Sequence, residues 1–120
     1  MAEARPDHPI TIEPHPNRVR VVLGGVIVAE TTRALLLREA TLPPVLYVPR
    51  DDAQLDLYEK TERRSHCPYK GDASYYTITA GGLERRDAAW SYEAPLPGMR
   101  TIAGHLAFYP NKVDAIEELY

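Results

Sequence analysis

Short runs of β-branched and apolar residues recur along the chain, and glycine or proline separates most of them. The clearest pattern lies in residues 18–31, where Gly24-Gly25 stands between two β-branched runs. A two-residue Gly-Gly loop supplies the positive φ angles that a tight hairpin turn requires, so the pattern predicts a β-hairpin. Counting back from the turn pairs Val21 with Val28, on a face that is apolar near the tip.

The other predicted strands are short segments rich in β-branched and aromatic residues. They cover residues 10–13, 45–48, 73–79, 88–92 and 106–109. Residues 32–39 fit either a strand or a single helical turn, because their three consecutive leucines match neither period. Residues 113–119 likewise fit either a helical turn or a last strand. Asp51 or Asp52 can cap a short helix that ends near residue 58.

A second glycine pair, Gly81-Gly82, lies between two predicted strands. Pairing outward from a tight turn at this pair would place Ile78 opposite Arg85, an apolar side chain against a charged one. We therefore expect a loop longer than two residues here, unlike the tight turn expected at the first glycine pair.

The chain has 11 prolines and 7 glycines. Because these residues interrupt helices, long helices are not expected. The pattern predicts a mainly β fold: a small antiparallel curled sheet, sandwich or barrel with one or two short helices. Residues 1–9 are polar, and we expect a flexible N-terminal arm there, with residues 10–120 forming a single β-rich domain. His8 and His15 lie in this proline-rich stretch and are expected to be solvated.

Charge and composition exclude several classes of protein and of binding site. The chain has 120 residues, a net charge of -3 and one cysteine. Because a nucleic-acid-binding domain is typically strongly positive, we expect no nucleic-acid partner. One cysteine excludes an internal disulfide and a zinc site built on cysteine pairs, and we expect neither a metal ion nor a cofactor. The longest nearly apolar run, residues 21–29, is too short to span a membrane, and no apolar signal segment begins the chain, so we expect a cytoplasmic protein without a membrane partner.

The segment Cys67-Pro68-Tyr69-Lys70-Gly71, called the 67–71 loop below, is the strongest candidate for a functional site. Pro68 fixes its own φ and restricts the preceding cysteine to extended conformations, while Gly71 can adopt conformations closed to other residues. A stiff loop presents Tyr69 and Lys70 at fixed geometry. We therefore predict that this loop borders the main pocket and that Lys70 faces into it.

Basic residues gather near this loop. They are Lys60, Arg63, Arg64 and Lys70. Local positive charge in an acidic chain indicates a small anionic ligand, and it would also favour the reactive thiolate of Cys67. The alternatives are that the cysteine is packed and inert, as an isolated cysteine in a small domain often is, and that Arg63 and Arg64 form a solvated face.

Several short motifs stand in a specific order along the chain. They are Val-Ala-Glu-Thr at 28–31, residues 35–39, Pro-Val-Leu-Tyr-Val-Pro-Arg-Asp-Asp at 44–52, the Cys-Pro-Tyr-Lys-Gly run continuing to residue 76, Ala-Trp-Ser-Tyr at 89–92 with Pro95, and Ala-Phe-Tyr at 107–109. In this order the chain resembles, almost end to end, the family called domain of unknown function 427. The resemblance implies a compact β-rich domain of about this length and implies no activity.

That family also carries a nucleotidyltransferase-like label, which no motif in this chain supports. Such enzymes usually place a Gly-Ser or Gly-Gly turn ahead of an Asp-x-Asp pair that binds magnesium with the triphosphate. Asp51 and Asp52 are adjacent, so on a strand they would point to opposite faces. A Walker-type phosphate loop is also missing from the sequence.

The candidate site combines the 67–71 loop with residues from elsewhere in the chain. The catalytic candidates are Cys67 as a nucleophile, Lys70 as an acid, base or electrostatic stabiliser, and Glu39 as a base or salt-bridge partner. The ligand-binding candidates are Arg33, Tyr47, Tyr69, Tyr75, Trp90 and Tyr92. The excess of tyrosine over phenylalanine, eight to one, indicates a cavity with polar groups in its lining.

Three functions are consistent with these residues. The first is a binding module for a small anionic molecule in a pocket beside the 67–71 loop. The second is an enzyme that uses Cys67 or Lys70. The third is a dimerisation or scaffold domain, in which an open sheet edge would support a homodimer.

Overall fold

The computed structural model describes residues 8–119 of the chain. This part contains ten β-strands and four 3₁₀ segments, joined by turns and loops. The strands are β1 (Ile10–Pro14), β2 (Arg18–Leu23), β3 (Val26–Thr31), β4 (Leu35–Glu39), β5 (Val45–Tyr47), β6 (Tyr58–Cys67), β7 (Gly71–Ala80), β8 (Leu83–Ser91), β9 (Ala107–Phe108) and β10 (Ala115–Leu119). The 3₁₀ segments are Arg50–Asp52, Leu55–Leu57, Pro97–Ile102 and Pro110–Lys112. The predicted mainly β class is confirmed. The first seven residues of the predicted N-terminal arm lie outside the described residues.

The strands pair into three antiparallel sheets, ordered β1-β4-β5, β10-β2-β3 and β6-β7-β8-β9. None of these sheets closes on itself within residues 8–119, so the closed form among the predicted alternatives does not occur there. A backbone bridge between Val48 and Leu106 joins the end of β5 to the start of β9. The segments 32–39 and 113–119, for which a helical turn was the alternative, contribute strands β4 and β10. No helix among the described residues is long and apolar enough to cross a membrane.

Two buried clusters form the core. The first packs β2 and β3 against β7 and β8, and it includes Val21, Leu23, Val28, Ile78 and Leu106. The second lies beside β4, β5 and β7, and it includes Leu37, Tyr47, Tyr75, Tyr92 and Ile102. Alternate residues of β2 are buried, as expected for a strand with one face on the core. The tyrosine-rich second cluster forms the support behind the candidate site.

The predicted tight turn at Gly24-Gly25 is confirmed, and both glycines have positive φ angles of 61° and 77°. A Cβ added to Gly24 would lie 2.4 Å from the carbonyl oxygen of Ala80, in the neighbouring β7–β8 hairpin. A Cβ on Gly81 would lie 1.9 Å from the carbonyl oxygen of Gly24. The two glycine turns therefore touch, and their contact requires glycine for space as well as for backbone conformation.

The ladder between β2 and β3 starts in the predicted register and then shifts by one residue. Val21 pairs with Ala29, so the predicted pairing of Val21 with Val28 is wrong. The shift is a β-bulge, in which the extra residue leaves the ladder. The Val28 carbonyl instead accepts hydrogen bonds of 2.9 Å from the backbone N–H of Gln54 and from the hydroxyl of Tyr58.

The turn at Gly81-Gly82 is tight, so the predicted longer loop is wrong. Ile78 does pair with Arg85 across this hairpin. The pairing is tolerated because Arg85 is half-buried, and a long arginine stem can cover apolar surface while its charge remains in solvent. The register then shifts near Asp87, which has a positive φ of 51°.

The predicted helix cap at Asp51 or Asp52 is also wrong. Each 3₁₀ segment in this region has only three residues, and neither has a side-chain cap. Pro49 precedes the first segment, so both aspartates fall inside it rather than before it. The Asp52 carboxylate instead accepts hydrogen bonds from the Thr31 hydroxyl at 2.7 Å and from the Arg33 guanidinium at 3.1 Å.

Candidate functional site

Glu39 and Lys70 form a buried ion pair, although 31 positions separate them in the sequence. Glu39 is the last residue of β4, and Lys70 directly precedes β7. Their side chains are only 9% and 11% exposed, respectively. A buried charge is costly unless it is paired, so each of these side chains depends on the other.

The 67–71 loop that carries Lys70 is held by its backbone. The Lys70 N–H donates to the Cys67 carbonyl at 3.2 Å, and the Lys70 carbonyl accepts from the N–H of Leu96 at 3.0 Å. Gly71 has a φ of 115°, and a Cβ there would lie 3.3 Å from the backbone of Pro95. Gly71 therefore allows the segment after β8 to pack directly against the loop, which fixes the direction of Lys70.

His8 is the second partner of Glu39, and sequence reasoning missed it. Its Nε2 donates to Glu39 Oε2 at 2.7 Å, and its ring stacks on Tyr69 with the ring centroids 3.8 Å apart. The side chain is 21% exposed, so the expectation of a solvated histidine is wrong. His15 is also not solvated, because it bonds Glu118 at 2.7 Å and is 11% exposed. Both errors arise because β1 packs these histidines against distant strands.

The electrostatics of Glu39 favour its role as a salt-bridge partner. Burial raises the pKa of the Glu39 carboxyl, but the hydrogen bonds and positive charges of Lys70 and His8 outweigh burial and hold this pKa below its usual value. Each carboxylate oxygen already accepts one hydrogen bond. An ionised carboxylate stabilised in this way is a weak general base, because protonating it would break two charge-assisted contacts.

Glu39 and Lys70 also line a cleft of about 830 Å³, to which all three sheets contribute. The rest of its lining is mainly apolar. The six strands that face it contribute Val21 (β2), Leu37 (β4), Val45 (β5), Trp90 (β8), Phe108 (β9) and Ile116 (β10). A third charged residue, Asp114, already accepts a hydrogen bond from the N–H of Gly24 at 2.8 Å. Lys70 is thus the one positively charged side chain in the lining contributed by residues 8–119.

The predicted aromatic residues lie at different depths around this cleft. Trp90 lines it, and its Nε1 donates to the hydroxyl of Tyr47 at 3.4 Å. Tyr47 and Tyr92 lie behind it in the tyrosine-rich cluster, where burial raises the pKa of both phenols above the ordinary value. Lys70 Nζ lies 5.8 Å from the centre of the Tyr92 ring. Tyr75 is buried, and its hydroxyl is 2.7 Å from Ser65 Oγ.

A family model described as a domain of unknown function (DUF427) matches residues 11–119, from β1 to the end of β10. This chain belongs to the DUF427 family. The resemblance based on the Cys-Pro-Tyr-Lys-Gly run and its accompanying motifs is therefore confirmed, and the matched residues include both Glu39 and Lys70. None of the curated proteins matches the chain.

Arg33 does not join the other predicted site residues in this DUF427 chain. Its guanidinium pairs with Asp52 and is 60% exposed. It lines a different, shallower cavity together with Arg50 and His105. Cys67 is not part of the cleft lining either, and it packs, half-buried, against the tyrosine-rich cluster. Among the described residues, no histidine or lysine side chain forms a hydrogen bond with its sulfur.

The basic residues near the 67–71 loop have their own partners. Lys60 Nζ donates to Glu93 at 2.7 Å, and Arg63 lies 3.9 Å from Asp87 with its guanidinium over the ring of Tyr75. Arg64 donates to backbone carbonyls of its own strand at 2.7 Å. Lys60 and Arg63 are therefore paired with carboxylates, and none of these three residues lines the DUF427 cleft, where Lys70 is the one basic side chain among residues 8–119.

Glu93 is a second charged centre that the sequence does not indicate. Its carboxylate accepts hydrogen bonds from Lys60 at 2.7 Å, from Arg50 at 3.1 Å and from the hydroxyl of Tyr76. Burial raises the pKa of Glu93, but hydrogen bonds from Lys60, Tyr76 and Ser74 and the positive charge of Lys60 outweigh burial and lower this pKa to about 2. An isolated glutamate between Tyr92 and Ala94 carries no local signal for such a role. Within residues 8–119, no group of three or more metal-binding side chains could hold an ion.

Proposed function

We propose that this chain is a binding module for a small organic molecule with an apolar body and an anionic head group, held in the cleft beside the 67–71 loop. The observation that supports the head group is the hydrogen-bonding state of the Glu39–Lys70 pair. A lysine ammonium has three N–H donors, and the contact with Glu39 uses one of them. Both oxygens of Glu39 already accept a hydrogen bond. The two remaining N–H donors of Lys70 favour an acceptor as the polar group of the ligand, such as a carboxylate, sulfonate or phosphate.

The apolar body is supported by the cleft lining. Six strands contribute mainly aliphatic and aromatic side chains to a volume of about 830 Å³. Small-molecule sites typically span about 300–1,000 Å³, with a few polar groups in a mostly apolar wall. A purely polar anion would leave the partly exposed side chains of this wall, such as Val45, Trp90 and Ile116, in contact with water, whereas an amphipathic anion would cover them.

The two alternatives have less support. An enzyme that uses Cys67 would need a neighbouring base or cation to form the thiolate, and no histidine or lysine of residues 8–119 hydrogen-bonds its sulfur. A homodimer through an open sheet edge would need a strand that tolerates pairing. Among the edge strands, β6 is exposed and dense in charged residues, which opposes edge-to-edge association at that edge.

The experiment uses Trp90, the single tryptophan of the chain, which lines the cleft and reports on its contents by fluorescence. The probes are three compounds with the same decyl chain and different heads: decanesulfonate and decyltrimethylammonium below their micelle concentrations, and decanol below its solubility limit. We expect saturable binding with the order sulfonate, then alcohol, then ammonium.

The matched variants separate the head group from the fold. Lys70→Met with Glu39→Gln removes both charges together, so no buried charge is left unpaired. We expect this double variant to bind decanesulfonate and decanol equally well, while the control Lys60→Met, a lysine outside the cleft lining, keeps the preference for sulfonate. Absence of saturable binding by all three probes would contradict the proposal, as would tighter binding of the ammonium compound.

A further inference from the structure

Leu42 lines the cleft and yet leaves 56% of its surface in solvent, so it lies at the rim. Ile27 and Leu55 are the other large apolar residues with comparable exposure in the described part of the chain, at 37% and 43%. Neither of them lines this cleft. Exposed apolar surface next to a cleft is the kind of surface that a bound molecule covers.

The loop that carries Leu42, residues 40–44 between β4 and β5, is held in place. The N–H of Ala40 donates to the carbonyl of Pro9 at 2.8 Å, and the N–H of Leu42 donates to the carbonyl of Glu39 at 2.9 Å. Pro43 and Pro44 have φ fixed by their rings. Because the loop begins directly after Glu39, the residue that pairs with Lys70 and the residue at the rim are positioned by the same strand.

We infer that Leu42 determines specificity: it covers the distal part of the apolar body of the bound molecule, and so selects anions whose apolar body reaches from Lys70 to the rim. This inference rests on the proposed function. The ligand class it names is an anion with an extended apolar body, and the two prolines beside Leu42 fix the rim against which that body packs. Each methylene that becomes covered should strengthen binding about fourfold.

The test compares hexane-, octane- and decanesulfonate, with dissociation constants taken from the fluorescence of Trp90. Leu42→Ala removes the rim contact, and Leu55→Ala removes another exposed leucine, which lies outside the cleft lining. We expect Leu42→Ala to weaken decanesulfonate binding roughly three- to tenfold and hexanesulfonate binding much less. Leu55→Ala should bind all three as the wild type does.

Leu42→Met keeps the apolar area and should retain the chain-length preference. The inference is overturned if Leu42→Ala binds all three sulfonates as tightly as Leu55→Ala does, or if it weakens all three equally. Either result, with normal binding by the wild type, leaves the proposed function standing. Absence of sulfonate binding by the wild type refutes the proposed function itself.

Discussion

His8 stacks on the ring of Tyr69, with the ring centroids 3.8 Å apart and the planes 12° from parallel. The same imidazole bonds Glu39 at 2.7 Å. A residue just before β1 therefore connects the 67–71 loop to the charged part of the cleft. This connection is a consequence of β1 pairing with β4, which places Ile10 opposite Glu39.

Replacing His8 by alanine should destabilise the fold by about 1–2 kcal/mol, since the variant loses one aromatic stack and one charge-assisted hydrogen bond. Urea unfolding of the variant and the wild type would measure the difference. The matched control is His66→Ala, because His66 bonds Asp72 at the same 2.7 Å but is 68% exposed. We expect the control to change stability by less than about 0.5 kcal/mol. Equal losses in the two variants would show that the stack on Tyr69 contributes nothing.

Replacing Lys70 alone by methionine should be worse than replacing both members of its ion pair. The single variant leaves the buried Glu39 carboxylate with His8 as its remaining partner, and we expect a loss of about 2–3 kcal/mol. The double variant Lys70→Met, Glu39→Gln should be destabilised less than the single variant, as unfolding curves of both would show.

The single variant should also respond to pH with a defined sign. Without Lys70, His8 alone would oppose the effect of burial, so we expect the pKa of Glu39 to be higher in the variant than in the wild type. Lys70→Met should therefore become more stable relative to the wild type as the pH falls from about 7 to about 5. A stability difference between variant and wild type that stays constant across this range would mean that the loss of Lys70 does not change the pKa of Glu39.

The Glu93 centre predicts an acid-sensitive contribution to stability. Its pKa is about 2 in the folded chain, against 4.5 for the ordinary carboxyl group. A depressed pKa stabilises the fold fully above the unfolded value, and the stabilisation is lost as the pH falls towards the folded value. The stability difference between the wild type and Glu93→Gln should therefore be largest above about pH 5 and shrink towards about pH 2. Glu59→Gln, an exposed glutamate on β6, should show no such trend.

The contact between the two glycine turns gives a prediction with a neighbouring control. Gly24 and Gly25 both have positive φ, so alanine is strained at either position. A Cβ at Gly24 would meet the Ala80 carbonyl at 2.4 Å, whereas at Gly25 it would meet nothing within 4 Å. Gly24→Ala should cost at least about 1 kcal/mol more than Gly25→Ala in thermal unfolding. Equal costs would show that the turns can separate freely.

Local signals in the sequence are sufficient for much of the fold. The tight turn at Gly24-Gly25 follows from two adjacent glycines between β-branched runs, because few other residues adopt the required φ. The short strands follow from composition and from the prolines that bound them. The register of β3 does not follow, because its bulge depends on Gln54 and Tyr58, which bond the Val28 carbonyl from another part of the chain.

The candidate site also has features that the local sequence predicts and features that depend on long-range contacts. The stiffness of the 67–71 loop, and hence the fixed position of Lys70, can be predicted locally from Pro68 and Gly71. The pairing of Lys70 with Glu39 and the position of His8 depend on contacts 31 positions apart in sequence, so no local pattern indicates them. Arg33 was included for its charge and lies elsewhere, because Asp52 binds it instead.

The most direct measurement is a crystal structure of the chain with decanesulfonate. The proposed function predicts the sulfonate within hydrogen-bond distance of Lys70 Nζ and the decyl chain along Leu37 and Phe108 towards Leu42. A decyl chain seated in the cleft with its sulfonate directed away from Lys70, or a cleft without the compound at saturating concentration, would contradict it.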